Sequence, residues 1–385
     1  MRVFVVVLLC VCLSTGAAVA QQLPSGKPVP PAGEAALAPP DIAAAGAVLI
    51  ERGTGRVLFA IAPDRMLPIA SITKVMTALI VLEHCDLTEV VTASARASGV
   101  PGTSIYLAEG EQLSVNELLL GLLLRSGNDA AIALAEHVAG SVEAFVALMN
   151  ARAAQLGAQA HFVNPNGLDV RAHGASALGM ALIAREALDF PAFRTLVATE
   201  RATIPWQGNP YERVLTNKNK LLTHYPGATG VKTGFTKKAG RCLIFSAERD
   251  GMELVGVLLN CGNWFDAATQ LLDWGFATYS VRTFLKSGEV VAQLPVSGGM
   301  KGSARVVCPM NFRAPIGQGE SVKLLIETEE RLIAPVIRGA VVGRASVIVA
   351  GEVVAEQWLV VDEPIDTRTY PCALWRTFRA FNPVA

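Results

Sequence analysis

Strand-like segments stand at both ends of a long stretch with helical apolar spacing, and that order limits the folds open to this chain. Ala45–Glu51 and Arg56–Ile61 flank Gly53-Thr-Gly55 and read as a first hairpin. From Ser71 to about Glu83, Ile72, Val75, Met76, Leu79 and Ile80 recur every three or four positions, the spacing of one helix face. Further helices are expected at 115–124, 129–139 and 141–156. Strands return at 230–236, 241–248 and 252–260, the last two joined by the turn residues Asp250-Gly251, before an amphipathic helix around Phe265–Phe276. Such a chain completes one sheet only by bringing its first and last strands together, so the expected class is α+β, an antiparallel sheet with a helical subdomain.

The ends carry different signals. Arg2, the apolar run Val3–Leu13 and the small residues Ala18-Val-Ala20 make residues 1–20 a secretory signal, which places the protein outside the cytoplasmic membrane, in the periplasm or on its wall side. Residues 21–41 hold Pro24, Pro28, Pro30, Pro31, Pro39 and Pro40 and read as an extended leader. The catalytic domain is expected over 42–282. Over 283–371, Val- and Ile-rich runs at Glu289–Leu294, Ser303–Cys308, Ser321–Glu327, Ala345–Val349 and Val353–Val361 alternate with Gly-rich turns, as in a small all-β domain. Residues 372–385 place Leu374, Trp375, Phe378 and Phe381 near one helical face beside Arg376 and Arg379. That tail reads either as terminal packing or as a peripheral membrane-interface helix. Lys plus Arg equal Asp plus Glu at 33 each, and losing Arg2 with the signal moves the balance to minus one, so nothing points to a nucleic-acid partner. Cys242 and Cys261 flank the Asp250-Gly251 hairpin and read first as buried thiols, second as a cross-strand disulfide.

Three short strings carry the chemistry: Ser71-Ile-Thr-Lys74, Ser126-Gly-Asn128 and Lys232-Thr-Gly234. About one Ser-x-x-Lys arises by chance in a chain this long, so the ordered set matters more than any member. A second Ser-x-Asn, Ser114-Val-Asn116, is followed by Glu117 and reads as a capping box opening the run Val115–Leu124. Ser126-Gly-Asn128 follows that run, at a helix end free to face a cleft. Ser71 and Lys74 share a helix face, so the amine reaches the hydroxyl. An apolar setting and a second cation, Lys232, favour the neutral amine that a general base requires. No Gly-x-Ser-x-Gly elbow and no His-Glu-x-x-His occurs, and His84, His137, His161, His173 and His224 are scattered; no metal or cofactor is expected.

The ordered triplet resembles that of the penicillin-binding protein and serine β-lactamase superfamily. Six segments bring it closer to the low-molecular-mass D-alanyl-D-alanine carboxypeptidases: Pro68–Lys74, Leu124–Asp129, Asn164-Pro-Asn-Gly-Leu-Asp169, Met180–Arg185, Gly230–Thr236 and Leu271–Phe276. The resemblance implies a transpeptidase domain followed by an all-β domain, peptidoglycan stem peptides as substrate and β-lactams as covalent inhibitors. It makes Ser71 the acylated nucleophile, Lys74 its base and Ser126 a proton relay toward the leaving amine. Asn128 would hold the substrate's peptide carbonyl, Lys232 and Thr233 its terminal carboxylate, and the N–H groups of Ser71 and Phe235 an oxyanion, with Gly234 permitting close approach. Two positions depart from the family pattern: residues 250–280 hold no Lys or Arg, and Gly179 stands where an Asp is expected.

Three other functions share these features. A class A β-lactamase needs a glutamate beyond the second string to activate the deacylating water, and none lies between Ala144 and Arg185. A D-alanyl endopeptidase would use the same nucleophile on peptide crosslinks. An inactive wall-binding scaffold is opposed by the three intact strings.

Overall fold

The computed structural model describes residues 37–368, together with the backbone of Phe4–Leu9. Residues 1–3, 10–36 and 369–385, which hold most of the expected signal and leader and the expected terminal helix, lie outside the described residues. The chain divides into two compact units, one running to Ser280 and the other comprising the residues from Val281 onward together with the strand Phe4–Leu9.

The first unit is built on a five-stranded antiparallel sheet ordered Ala228–Thr236, Gly240–Arg249, Met252–Cys261, Ala44–Glu51, Val57–Ile61. As the strand order in sequence required, the centre joins the two ends of the unit, from Leu254 opposite Glu51 to Cys261 opposite Ala44. Side-chain alternation explains why the central strands are apolar throughout. Val48, Ile50, Val255, Val257 and Leu259 point into the main helical core, whereas Leu49 and Leu254 point to the other face, where helix Trp264–Thr278 lies. A Cβ on Gly275 would stand 2.7 Å from a Leu254 methyl, so this glycine sets how closely that helix approaches.

Helix Lys74–His84 occupies the middle of the helical layer, packed against Ala177–Ala187 and Asn128–Ala139, and every residue from Lys74 to Val81 is buried. Burying a side chain the size of Ile72 or Leu79 contributes about 1.5–3 kcal/mol. A lysine held inside such a helix therefore has to be explained by its partners. The Ser114 capping box forms as expected: Ser114 Oγ accepts from Glu117 N–H at 3.2 Å and Glu117 Oε2 accepts from Ser114 N–H at 2.7 Å. The helix it opens, Val115–Leu120, widens into a π-turn over Gly121–Arg125, a detail that apolar spacing does not encode.

The second unit is all-β. Its main sheet runs Phe4–Leu9, Val322–Glu329, Val341–Val349, Glu352–Val361, Ser303–Val307, Val290–Ser297, Leu332–Ile333, and a separate pair joins Tyr279–Leu285 to Phe312–Gly317. Phe312–Gly317 was not anticipated because Pro315 interrupts its apolar run. Val306, Ala345, Val347, Leu359 and Val361 form its core. Cys242 and Cys261 are buried free thiols, the first of the two readings.

Candidate active site

Ser71 lies in a 3-10 turn, Ala70–Thr73, that leads directly into the helix beginning at Lys74. The turn starts from a strained point, since Ala70 has φ 47°, a conformation rare for a residue with a Cβ. Thr73 Oγ1 donates to Ala70 O at 2.8 Å and stands 2.9 Å from His173 Nε2. His173 Nδ1 accepts from Val163 N–H at 3.0 Å, so the proton sits on Nε2 and that nitrogen donates to Thr73. Burial, with His161 and Lys74 adding to it against an opposing Asp169, lowers the His173 pKa to about 4 and keeps the ring neutral.

Lys74 Nζ has three partners: Ser71 Oγ at 3.1 Å, Asn128 Oδ1 at 2.8 Å and the Asn166 carbonyl at 2.5 Å. Burial, then the cations Lys232 and Lys218, hold its pKa well below the ordinary lysine value, against a smaller pull from Asp129. Asn128 Oδ1 and Asn166 O can only accept. Once the amine is neutral its two N–H bonds satisfy those oxygens, and the lone pair is left facing the Ser71 hydroxyl.

Ser126 follows the π-turn in a left-handed conformation, φ 68° and ψ 36°. Its Oγ is buried and has no hydrogen-bond partner among the described residues, an unusual condition for a hydroxyl. Asn128 opens the next helix with its own N–H on Thr103 O and its Nδ2 on Pro101 O, both at 2.7 Å, so one amide N–H remains.

The third string lies on Ala228–Thr236, one of the two edge strands of the sheet. Lys232 is buried, donates to Thr233 O at 3.0 Å, and is lowered to about 7 by burial and then by Lys218. A Cβ on Gly234 would sit 2.9 Å from Ser71 N and 3.0 Å from Ile72 N, so only glycine lets the strand meet the serine turn. Thr233 is buried and the Phe235 side chain is exposed.

One surrounding loop was not singled out for site roles in the sequence, although its residues were quoted. Asn164–Asp169 gives the Asn166 carbonyl to Lys74, the Pro165 carbonyl to Thr77 Oγ1 at 2.6 Å, and Asp169 Oδ1 to Thr236 Oγ1 at 3.0 Å. It thereby braces both the serine helix and the edge strand. Main-chain carbonyls leave no mark in residue identity, which is why Asn166 escaped notice; His173 and Lys218 escaped because neither belongs to a string. The glycine at 179 also has a local cause: a Cβ there would stand 2.7 Å from the Gln159 carbonyl oxygen, while Ser176 caps the helix through Gly179 N–H.

A helical layer on an antiparallel sheet, with the three strings converging and an all-β unit following, is the transpeptidase-type architecture of penicillin-binding proteins. Residues 33–263 match the family model described as D-alanyl-D-alanine carboxypeptidase, and residues 279–367 match the penicillin-binding protein 5 C-terminal domain. The chain belongs to the D-alanyl-D-alanine carboxypeptidase family. It is 33% identical to D-alanyl-D-alanine carboxypeptidase DacF of Bacillus subtilis over 87% of this chain and 89% of that protein. It is 31% identical to D-alanyl-D-alanine carboxypeptidase DacC of Escherichia coli, over 89% and 90%. The structure of penicillin-binding protein 5 from Haemophilus influenzae superposes with a TM-score of 0.74 at 30% identity, covering 86% of this chain and 99% of that one. Membership makes the chain a serine-type carboxypeptidase hydrolase.

Proposed function

We propose that Ser71 attacks the carbonyl between the two terminal D-alanines of a peptidoglycan stem pentapeptide, outside the cytoplasmic membrane, and that water then hydrolyses the acyl-enzyme. Lys74 takes the serine proton. Ser126, whose hydroxyl has no hydrogen-bond partner among the described residues, passes a proton from the lysine pair to the departing amine. The remaining Asn128 amide N–H binds the substrate's peptide carbonyl, and Lys232 and Thr233 bind the terminal carboxylate. That carboxylate raises the Lys232 pKa on arrival, so an amine poised near 7 becomes the cation that holds it. The N–H groups of Ser71 and Phe235 receive the oxyanion, with Gly234 giving the room. The observation that carries this reading is the Lys74 amine, whose two acceptor-only partners leave its third direction on Ser71 Oγ.

A β-lactam presents the same acyl group in a ring and acylates the same hydroxyl. On the side where Lys74 meets the Asn164–Asp169 loop it finds a carbonyl, and no glutamate lies between 144 and 185 to activate water. The penicilloyl adduct is therefore long-lived. Export completes the reading; among the described residues no single helix is long and apolar enough to cross a membrane.

The test is incubation of the purified protein with a stem pentapeptide and with crosslinked muropeptides, alongside labelling by fluorescent penicillin and a Ser71→Ala control. D-Alanine release from the pentapeptide, with Ser71-dependent labelling, supports the carboxypeptidase. Cleavage of crosslinks alone would instead assign an endopeptidase.

A further inference from the structure

Cys85, Glu89 and His137 meet at a point none of the three strings uses. Cys85 ends the helix that begins at Lys74, Glu89 lies in the loop that follows, and His137 sits in the last turn of the helix that begins at Asn128. The thiol sulfur, a carboxylate oxygen and a ring nitrogen all lie within 4.8 Å of one another. His137 Nε2 is 2.9 Å from Glu89 Oε2, and Glu89 Oε1 accepts the Asp86 N–H at 2.6 Å, which fixes the carboxylate. An ordinary hydrogen bond accounts for the histidine and the glutamate. It does not account for the thiol beside them, which has no hydrogen bond among the described residues and is pushed up by desolvation and by the charges of Glu89 and Asp86.

One sulfur, one imidazole and one carboxylate form a donor set that favours a borderline-soft dication over calcium or magnesium, which take oxygen ligands. Zinc bonds of about 2.3 Å to sulfur and about 2.0–2.2 Å to nitrogen and oxygen place tetrahedral donors roughly 3.3–3.7 Å apart, so the ion would replace the direct His137–Glu89 hydrogen bond, part those two atoms from 2.9 Å, and keep the thiol within the 4.8 Å the three now span. We propose that Cys85, Glu89 and His137 bind a zinc ion, with water as fourth ligand. Binding releases the thiol proton, so affinity rises with pH. The ion would clip together the far ends of two helices whose near ends present Lys74 and Asn128, themselves hydrogen bonded at 2.8 Å. This inference stands independently of the reaction proposed above.

The experiment is titration of chelator-treated, reduced protein with Co2+, followed by displacement with Zn2+. The expected result is one equivalent of a tetrahedral cobalt spectrum with a thiolate charge-transfer band, abolished by stoichiometric zinc. Cys85→Ser should remove the band, and His137→Ala should weaken binding on the order of 100-fold, the upper end of what losing even an outer-shell partner costs. Ser71→Ala should leave the spectrum unchanged. Circular dichroism of each variant confirms that it folds, and zinc should raise the thermal midpoint of the parent but not of folded Cys85→Ser. A charge-transfer band that survives in Cys85→Ser, or no saturable binding at micromolar metal, would overturn the proposal.

Discussion

The backbone at Gly167 lies so close to Ala70 that a Cβ on the glycine would stand 2.0 Å from the Ala70 carbonyl oxygen, and Gly167 also has φ 84°. The loop carrying Asn166 and the turn carrying Ser71 are therefore fitted backbone to backbone. Gly167→Ala should destabilise the protein by about 2–5 kcal/mol, combining overpacking with left-handed strain. Denaturant unfolding measures it, and an unchanged midpoint would show that the loop does not brace the turn.

Gly234→Ala acts on the other side of the serine. The added methyl meets Ser71 N and Ile72 N, at 2.9 and 3.0 Å, in the space assigned to the oxyanion. Penicillin acylation should slow by about 100-fold or more, comparable to losing an oxyanion donor. Stopped-flow labelling beside a thermal melt separates this from unfolding; equal losses in both would remove the oxyanion assignment.

Lys218 bears on the proton transfer at a distance. Its charge lowers the pKa of both Lys74 and Lys232. Lys218→Met should let both rise, moving the acid limb of the acylation profile to higher pH and slowing the reaction at neutral pH. A profile unmoved, or moved to lower pH, would show that this charge does not reach the pair.

His173 couples stability to acid. Above its ordinary value of 6.5 the ring is neutral whether the chain is folded or not. As pH falls from 6.5 towards 4, the unfolded ring binds a proton that the folded ring refuses, and stability declines; below about 4 the loss is complete. His173→Gln should flatten that part of the stability curve, read from urea midpoints across the range. A variant that keeps the full slope would place its origin in other groups.

Much of this arrangement could be read from residue order. The strands at 45–61 and 230–260 imposed a sheet closed from both ends, and Glu117 distinguished the Ser114 capping box from the serine that reaches the site. What could not be read was conformational. The left-handed Ser126 depends on a π-turn, and the strained Ala70 depends on a loop about a hundred residues later. Lys74 depends on a carbonyl, which every residue possesses. The departure at Gly179 was visible in the sequence, but its steric cause, the Gln159 backbone that fills the space of a Cβ, was not. Pattern reports which side chains are available; it does not report main-chain atoms drawn close by the fold.

The pairing of Glu51 with Leu254 also sets a timetable. These partners stand roughly two hundred residues apart, and the strand bearing Glu51 has its own hairpin, Val57–Ile61, on only one side until the later strand arrives. A two-stranded hairpin is marginal in water. The helix bearing Lys74 packs against helix Ala177–Ala187, which lies on the two paired strands of that same sheet, so the amine has no formed pocket while the chain is still emerging. Folding dominated by such distant contacts is slow, and it makes the reactive serine a late product of synthesis, assembled after nearly all of its domain has been made.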